Sequence, residues 1–149
     1  MKIEKILKTN TKLSSHKKIV ISVLYSSSQF SNILNGILKP FDISLQQFNV
    51  LRILRGQQKK AISLAVVQER MINKMSNTTR LIDKLIKKGL VQKNINSTNR
   101  RKIDISITNE GLEILDYVDT LIDEAEKDIV KELSEKEKEQ LIRLLAKIR

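Results

Sequence analysis

The sequence predicts a mainly α-helical protein that carries one small β-hairpin. Apolar residues recur every three or four positions over most of the chain, which is the period of helices packed on one face. Glycine and proline are rare, at 4 and 1 of 149 residues, as expected for long helices with few tight turns. Residues 90–108 differ, because apolar and polar side chains alternate there in two short runs. A chain of this length is expected to form one domain, residues 1–149.

The N-terminal region predicts one long helix after a weakly amphipathic start at residues 1–13. From Ser14 the apolar residues recur at spacings of three and four as far as Leu38, which corresponds to about seven helical turns. The helix is expected to stop before Pro40, because the residue that precedes a proline is pushed out of helical geometry. A helix of this length exceeds what a small domain packs internally, so part of it is expected to contact another molecule.

Two shorter helices are predicted in residues 44–71. Ser44 and Gln47 have the spacing of a capping box, and the helix that they open runs to Gly56. This helix is apolar on most sides and is therefore expected at the centre of the core. After a polar connection, Ser63 is the expected N-cap of the next helix.

A fourth helix is expected to have Asn73 or Lys74 as its N-cap and to end at Gly89. Its predicted inner face consists of Thr78, Leu81, Ile82 and Leu85. Its predicted outer face consists of Ser76, Asn77, Thr79, Arg80, Lys84 and Lys87. We interpret Asp83 as an i,i+4 ion-pair partner of Lys87. Two helices joined by a short turn, the second with a polar N-terminal half, form a helix-turn-helix arrangement.

Two strands are predicted directly after this helix. The second run is the clearer one, since it alternates β-branched residues with polar ones at Ile103, Ile105 and Ile107. A six-residue polar loop, 96–101, joins it to the first run, and basic side chains lie at the end of that loop. We call this basic hairpin the wing. Residues 44–108 are therefore predicted to be a winged helix-turn-helix unit that binds DNA.

The C-terminal region predicts two further helices. Thr108 is the expected N-cap of a helix that runs to about Leu133, and Ser134 with Glu137 has the spacing of a second capping box. The apolar stripes of the first and fifth helices exceed what one domain can bury, so residues 14–39 and 109–149 are expected to be dimerisation helices. The residues assigned to the interface are Leu115, Val118, Ile122, Ala125, Ile129, Leu144, Leu145 and Ile148.

Several classes of function are disfavoured by composition. The chain has no cysteine and a single histidine, His16, so neither a disulfide framework nor a structural zinc site is expected. No nucleophile–base pair, glycine-rich phosphate loop or metal cluster indicates an enzyme, and no cofactor is expected. No apolar run approaches the roughly 18–20 residues of a membrane span, and the N-terminus lacks the features of a secretory signal. The expected location is the cytoplasm.

The net charge of +11 is unevenly distributed along the chain. The first 60 residues carry 11 Lys or Arg and 2 Asp or Glu, and residues 61–107 carry 10 and 3. Residues 108–149 carry 7 and 12. A basic body with an acidic C-terminal part indicates one face for a polyanion. A solvated surface with biased composition is the competing explanation.

The helix-turn-helix and the wing together favour double-stranded DNA as the partner. The major groove is about 12 Å wide and admits one helix, whose short polar side chains can reach base edges. The base-reading candidates are Ser76, Asn77, Thr79 and Arg80. The candidates for phosphate contacts are Lys74, Lys84, Lys87 and Lys88. The wing residues expected to enter the minor groove are Arg100, Arg101 and Lys102.

Two other functions remain open from the residues alone. A winged-helix module can bind an acidic protein instead of reading DNA, and a basic amphipathic protein can bind an anionic membrane surface. Protection of a symmetric DNA footprint would distinguish DNA binding from both.

The chain resembles the MarR family of bacterial transcriptional regulators from about residue 14 to residue 149. The resemblance rests on SLAVVQERMINKMSNTTRLIDKLIKKGLV and on NRRKIDISITNEG, whose two arginines, alternating apolar residues and Thr-x-x-Gly are similar to the family pattern. Asn99 stands where the family usually has Asp. Ile72 and Thr78 stand where glycine and an apolar residue are common.

This resemblance implies a homodimer that straddles a near-palindromic operator, most simply as a repressor, and an effector bound between the dimer helices and the winged unit. Family members often respond to small aromatic anions. The aromatic residues available for such a pocket are Tyr25, Phe30, Phe41, Phe48 and Tyr117. A purely structural role in the core is the competing interpretation of these side chains.

Overall fold

The computed structural model describes residues 3–58, 60–95 and 103–148. In chain order the elements are α1 (Ile3–Ile6), α2 (Ser15–Leu38), a 3-10 turn (Lys39–Phe41), α3 (Leu45–Arg55), β1 (Ile62–Ser63), α4 (Leu64–Arg70), α5 (Thr78–Lys87), β2 (Val91–Ile95), β3 (Ile103–Ile107), α6 (Asn109–Ile129) and α7 (Glu135–Ala146). The prediction of a mainly helical chain with a hairpin wing is confirmed.

Local capping determines where several helices begin. The Ser44 hydroxyl accepts from the Gln47 N–H at 3.2 Å while the Gln47 side chain accepts from the Ser44 N–H at 3.0 Å. The Thr108 hydroxyl accepts from the Gly111 N–H at 3.0 Å at the start of α6. At α7 the Glu137 carboxylate accepts from both the N–H and the hydroxyl of Ser134, at 2.8 and 2.7 Å.

The sheet has three antiparallel strands in the order β1-β3-β2 within the described residues. Val91 pairs with Ile107 and Ile95 with Ile103, so β2 and β3 form the predicted hairpin. The strand β1, which was not predicted, adds to the other edge of β3 through the pair Ile62–Ile105. Two residues are too few for an alternating pattern, and their pairing depends on a strand some forty residues away.

The core surrounds α3, as its apolar character predicted. Val50, Leu51 and Leu54 of this helix are almost completely buried. The same hydrophobic cluster contains buried residues of other elements, including Leu38 of α2, Val67 of α4, Leu85 of α5 and Ile107 of β3. The winged unit is therefore built on a helix that shares one core with the long flanking helices.

The α6 stripe differs from its prediction as a dimer surface. Leu115, Val118 and Ile122 are only 1%, 1% and 2% exposed within the single chain, where they join the core. Their assignment to a dimer interface is wrong, because buried side chains leave no surface for a partner. Ala125 and Ile129 are half-buried, and the helix ends at Ile129 instead of Leu133.

Two helix faces remain apolar and exposed in the described chain. One lies on the N-terminal part of α2 and contains Ile19, Val20, Val23, Leu24 and Phe30. The other lies on α7, which has no buried residue and exposes Leu141, Ile142, Leu144 and Leu145, with Ile148 just beyond it. We call these the α2 patch and the α7 patch. None of the described helices is long and apolar enough to cross a membrane.

Candidate nucleic-acid interface

The N-cap of α5 lies three or four residues later than the sequence predicted. Its N-cap is Asn77, whose side-chain oxygen accepts from the Arg80 N–H at 3.1 Å. Asn73 instead closes a turn, since its side-chain oxygen accepts from the Met75 N–H at 3.0 Å and its carbonyl from the Ser76 N–H at 3.2 Å. Residues 71–77 therefore form a connecting turn and not the first turn of the helix.

A single glutamine side chain ties this turn to both helices. Gln68 of α4 donates from Nε2 to the Lys74 carbonyl oxygen at 2.9 Å, and its Oε1 accepts from the Thr78 hydroxyl. Thr78 is 2% exposed, so this partner satisfies a hydroxyl that water cannot reach. The bond explains how Thr78 occupies an inner position where an apolar residue is common in the family that the chain resembles.

The inner and outer faces of α5 follow the prediction. Thr78, Ile82 and Leu85 are buried, whereas Thr79, Arg80, Lys84 and Lys87 are exposed. The outer face of α5 is therefore a polar ridge exposed to solvent, while its inner face is fixed in the core. A ridge of this kind, one helix wide, fits the major groove.

The four base-reading candidates are not equivalent in the structure. Thr79 and Arg80 are exposed on the first turn of α5. Asn77 is exposed, but its oxygen is occupied by the helix cap, which leaves its amide NH₂ as a donor. Ser76 is half-buried, and its hydroxyl oxygen is buried without a hydrogen-bond partner among the described residues. Arg80 and Thr79 are therefore the best-placed candidates.

The basic side chains around α5 also differ in availability. Lys84, Lys87 and Lys39 line a cleft of about 640 Å³ between α5 and the C-terminal end of α2. Lys88 lines it too, but its ammonium group lies 2.8 Å from the Asp42 carboxylate. The hydrogen bond and charge of Lys88 lower the pKa of Asp42. Lys74 reaches back to the carbonyl oxygen of Glu69.

The wing is attached to α5 and to α6 at its base. Lys93 of β2 lies 3.1 Å from the Asp83 carboxylate of α5, so the predicted pairing of Asp83 with Lys87 is wrong. The Thr108 hydroxyl donates to the Gly89 carbonyl oxygen at 2.6 Å, which joins the start of α6 to the end of α5. The wing-tip candidates Arg100, Arg101 and Lys102, and Asn99, lie outside the described residues.

A second cavity of about 770 Å³ lies between α2, α3, α6 and the turn before α5. Its wall includes the turn residues 71–74 together with Phe48, Asn49, Arg52 and Ile122. The side-chain nitrogen of Asn49 is buried there without a hydrogen-bond partner among the described residues. The Arg52 guanidinium lies 5.6 Å from the centre of the Phe48 ring.

The structure does not bring the five predicted pocket aromatics together. Of the five, only Phe48 lines the cavity. Phe41 and Tyr117 form a separate tilted pair with ring centres 5.6 Å apart. Tyr25 and Phe30 are exposed along α2. The sequence analysis named aromatic residues as pocket candidates but not Asn49 and Arg52, because these two line the cavity only as a result of the tertiary fold. No cluster of potential metal ligands occurs among the described residues.

Comparisons with known proteins agree with this geometry. A sequence model of the MarR family matches residues 43–103. The HTH-type transcriptional regulator PecS of Dickeya dadantii is 32% identical over 117 residues, which cover 77% of this chain and 70% of the relative. The HTH-type transcriptional regulator SarZ of Staphylococcus haemolyticus is 27% identical over 108 residues, covering 72% and 71%.

Solved structures share the fold over most of the chain. A MarR transcription factor from Planctomyces limnophilus has a TM-score of 0.70 at 26% identity, covering 91% of this chain and 98% of its own. A mutant of MarR from E. coli complexed with operator DNA has a TM-score of 0.79 at 24% identity, covering 93% and 99%.

Proposed function

The chain belongs to the MarR family of transcriptional regulators, and we propose that it is a ligand-responsive repressor that binds a near-palindromic operator as a homodimer. The family consists of regulators and not enzymes, as the sequence predicted. The observation that carries the proposal is the exposed polar ridge of α5, held on the core by Thr78, Ile82 and Leu85 and joined to a β-wing. Because a bacterial regulator of this kind binds chromosomal DNA, the proposed location is the cytoplasm.

DNA recognition is assigned to two sets of residues, one that determines sequence specificity and one that increases affinity for any sequence. Arg80 and Thr79 lie exposed at the N-terminal end of α5, the end that reaches base edges in helix-turn-helix proteins. An arginine can pair bidentately with guanine and so discriminates between sequences. Lys84 and Lys87 lie further along the same ridge and are suited to phosphates, which increase affinity for every sequence.

The test compares Arg80→Ala with Lys87→Ala on a duplex selected from a random library by the wild-type protein. Loss of a bidentate pair is expected to weaken binding to the selected duplex by roughly 1–3 kcal/mol and to reduce its preference over random duplex. Lys87→Ala is expected to weaken both duplexes equally and to lower the slope of log K against log salt by about 1. An unchanged preference in Arg80→Ala would contradict the base-reading assignment.

The homodimer is supported by the α2 and α7 patches. A twelve-residue helix is marginal by itself, and α7 buries none of its residues in the single chain. A second copy that covers both patches would give α7 the tertiary packing that it lacks. Leu144, Leu145 and Ile148 therefore remain interface candidates, joined by Ile19 and Val23 of α2. Two-fold symmetry would then place the two α5 helices about one DNA turn apart.

Leu145→Asp tests this interface. A buried carboxylate in an apolar contact is strongly unfavourable, so monomers are expected by sedimentation, together with loss of operator binding. Arg143→Asp, on the opposite face of α7, is the control and should keep the dimer. A Leu145→Asp protein that sediments as a tight dimer would refute the assigned interface.

The effector site is assigned to the cavity beside Asn49. The Asn49 side-chain nitrogen, which has no hydrogen-bond partner among the described residues, and the Arg52 guanidinium provide donors for an anion, and Phe48 provides an apolar wall. The cavity wall continues into Asn73 and Lys74 of the turn that precedes α5. A ligand in the cavity would therefore act on the position of the recognition helix.

Benzoate is a suitable probe for this site, with benzyl alcohol as its uncharged analogue. Benzoate is expected to weaken operator binding by the wild type, and Arg52→Met is expected to remove this response without removing operator binding. Equal effects of benzoate on both proteins would contradict the role of Arg52. Equal effects of benzoate and benzyl alcohol would contradict recognition of an anion.

A further inference from the structure

Met75 is the most exposed of the large apolar residues in the described chain, at 92%. It lies in the turn between α4 and α5, two residues before the Asn77 cap. Single exposed apolar residues are common on protein surfaces, so exposure alone carries no functional meaning. The surroundings of Met75 are what distinguish it.

The backbone on both sides of Met75 is fixed by hydrogen bonds. Its own N–H donates to the side chain of Asn73 at 3.0 Å, and the preceding carbonyl, that of Lys74, accepts from Gln68 at 2.9 Å. The following N–H, that of Ser76, donates to the Asn73 carbonyl oxygen at 3.2 Å. The side chain therefore projects into solvent from a braced turn and not from a loose loop.

Met75 is not part of the wall of the effector cavity. The four residues that precede Met75 all line that cavity, but Met75 itself does not. In sequence it precedes the exposed residues Thr79 and Arg80 of the first turn of α5 by four and five residues. In helix-turn-helix complexes this end of the recognition helix is the one closest to the base edges.

We infer that Met75 contacts the C5-methyl group of a thymine in the major groove and thereby selects thymine at one position of each half-site. That methyl is the apolar feature by which the major groove distinguishes thymine. A thioether side chain is flexible and polarisable, which suits it to a small apolar partner. This inference rests on the proposed DNA-binding function and adds an apolar specificity element to the polar ones.

The experiment uses the full-length protein and the duplex selected from a random library. Each thymine is replaced in turn by deoxyuridine, which removes only the methyl group, and affinity is measured by fluorescence anisotropy. Burial of one methyl-sized group is worth about fourfold in affinity, so wild-type binding is expected to fall about fourfold at one position of each half-site. Met75→Leu should keep this difference, and Met75→Gln should bind the two duplexes equally.

Tyr117→Gln is the control, because Tyr117 is 62% exposed on α6 and lies outside both the turn before α5 and the cavity wall. It should keep the thymine-to-deoxyuridine ratio of the wild type. The Met75 variants should keep the wild-type circular dichroism spectrum, since the side chain is solvated. A ratio in Met75→Gln equal to that of the wild type at every position would overturn the inference. A selection that enriches no sequence would instead overturn the proposed function, and this inference with it.

Discussion

Gly111 is the residue at which the structure makes its sharpest prediction about stability. It lies in the first turn of α6, where the helix start crosses the base of the wing. A Cβ at this position would overlap the carbonyl oxygen of Leu90 and would lie 2.8 Å from Cγ1 of Ile107. The Leu90 oxygen cannot move freely, because it also accepts from the Thr108 N–H at 3.1 Å.

The expected effect of Gly111→Ala is a net loss of about 2 kcal/mol in the free energy of unfolding. Overpacking against backbone costs up to about 3 kcal/mol, while alanine gains up to about 1 kcal/mol over glycine inside a helix. For a chain of this size the melting temperature should fall by roughly 4–8 °C. Wing geometry should change as well, so operator affinity is expected to fall even well below the melting temperature.

Gly36→Ala is the matched control, since Gly36 also lies within a helix but a Cβ there would meet nothing within 4 Å. It is expected to raise the free energy of unfolding by about 1 kcal/mol, the helix-propensity gain alone. Both variants should be melted at one protein concentration, because the stability of a dimer depends on concentration. The reasoning is refuted if Gly111→Ala melts at or above the wild-type temperature while Gly36→Ala behaves as expected.

Two further predictions concern hydrogen bonds. Gln68→Met and Thr78→Val should each lower the free energy of unfolding by about 1–3 kcal/mol, because each leaves a buried polar partner unpaired. In a double-mutant cycle measured by denaturant unfolding, the double variant should lose less than the sum of the two single losses. Strictly additive losses would contradict the hydrogen bond between these side chains. The hydroxyl and then the backbone N–H of Ser134 lower the pKa of Glu137 below 4.5, so the stabilisation of α7 is present above pH 4.5 and is lost as pH falls through the lowered pKa. Ellipticity at 222 nm should therefore decrease in this acid range in the wild type and change less in Glu137→Ala, and identical acid titrations of the two proteins would contradict the prediction.

The start of a helix was predictable where it depends on one local interaction, the hydrogen bond from the backbone N–H three residues later to the side chain of the N-cap residue. Ser44, Ser63 and Thr108 all cap helices as their sequence context indicates. The start of α5 was not predictable, because Asn73 and Asn77 offer the same acceptor four residues apart. Asn73 uses it to close a turn and Asn77 uses it to cap the helix, and Gln68 on another helix makes hydrogen bonds to Lys74 and Thr78 in this arrangement.

Apolar stripes were predictable, but the molecule that covers them was not. The period of Leu115, Val118 and Ile122 is the same whether the stripe meets a partner or the chain's own core. The stripe of α6 is covered by its own chain, and the stripe of α7 is exposed. Only exposure in the folded chain separates the two cases, and it leaves the α2 and α7 patches as the surfaces on which we propose the dimer contact.

The turn before α5 is the segment through which we propose that the cavity and α5 are coupled. Gln68 holds the Lys74 carbonyl with one end of its amide and the Thr78 hydroxyl with the other. Lys74 belongs to the cavity wall, while Thr78 is the first residue of α5. A ligand that displaces Lys74 must therefore either break a hydrogen bond of a braced turn or move the start of α5 with it. The second outcome would change the presentation of Arg80, since its N–H is held by the Asn77 cap within the same turn of the chain.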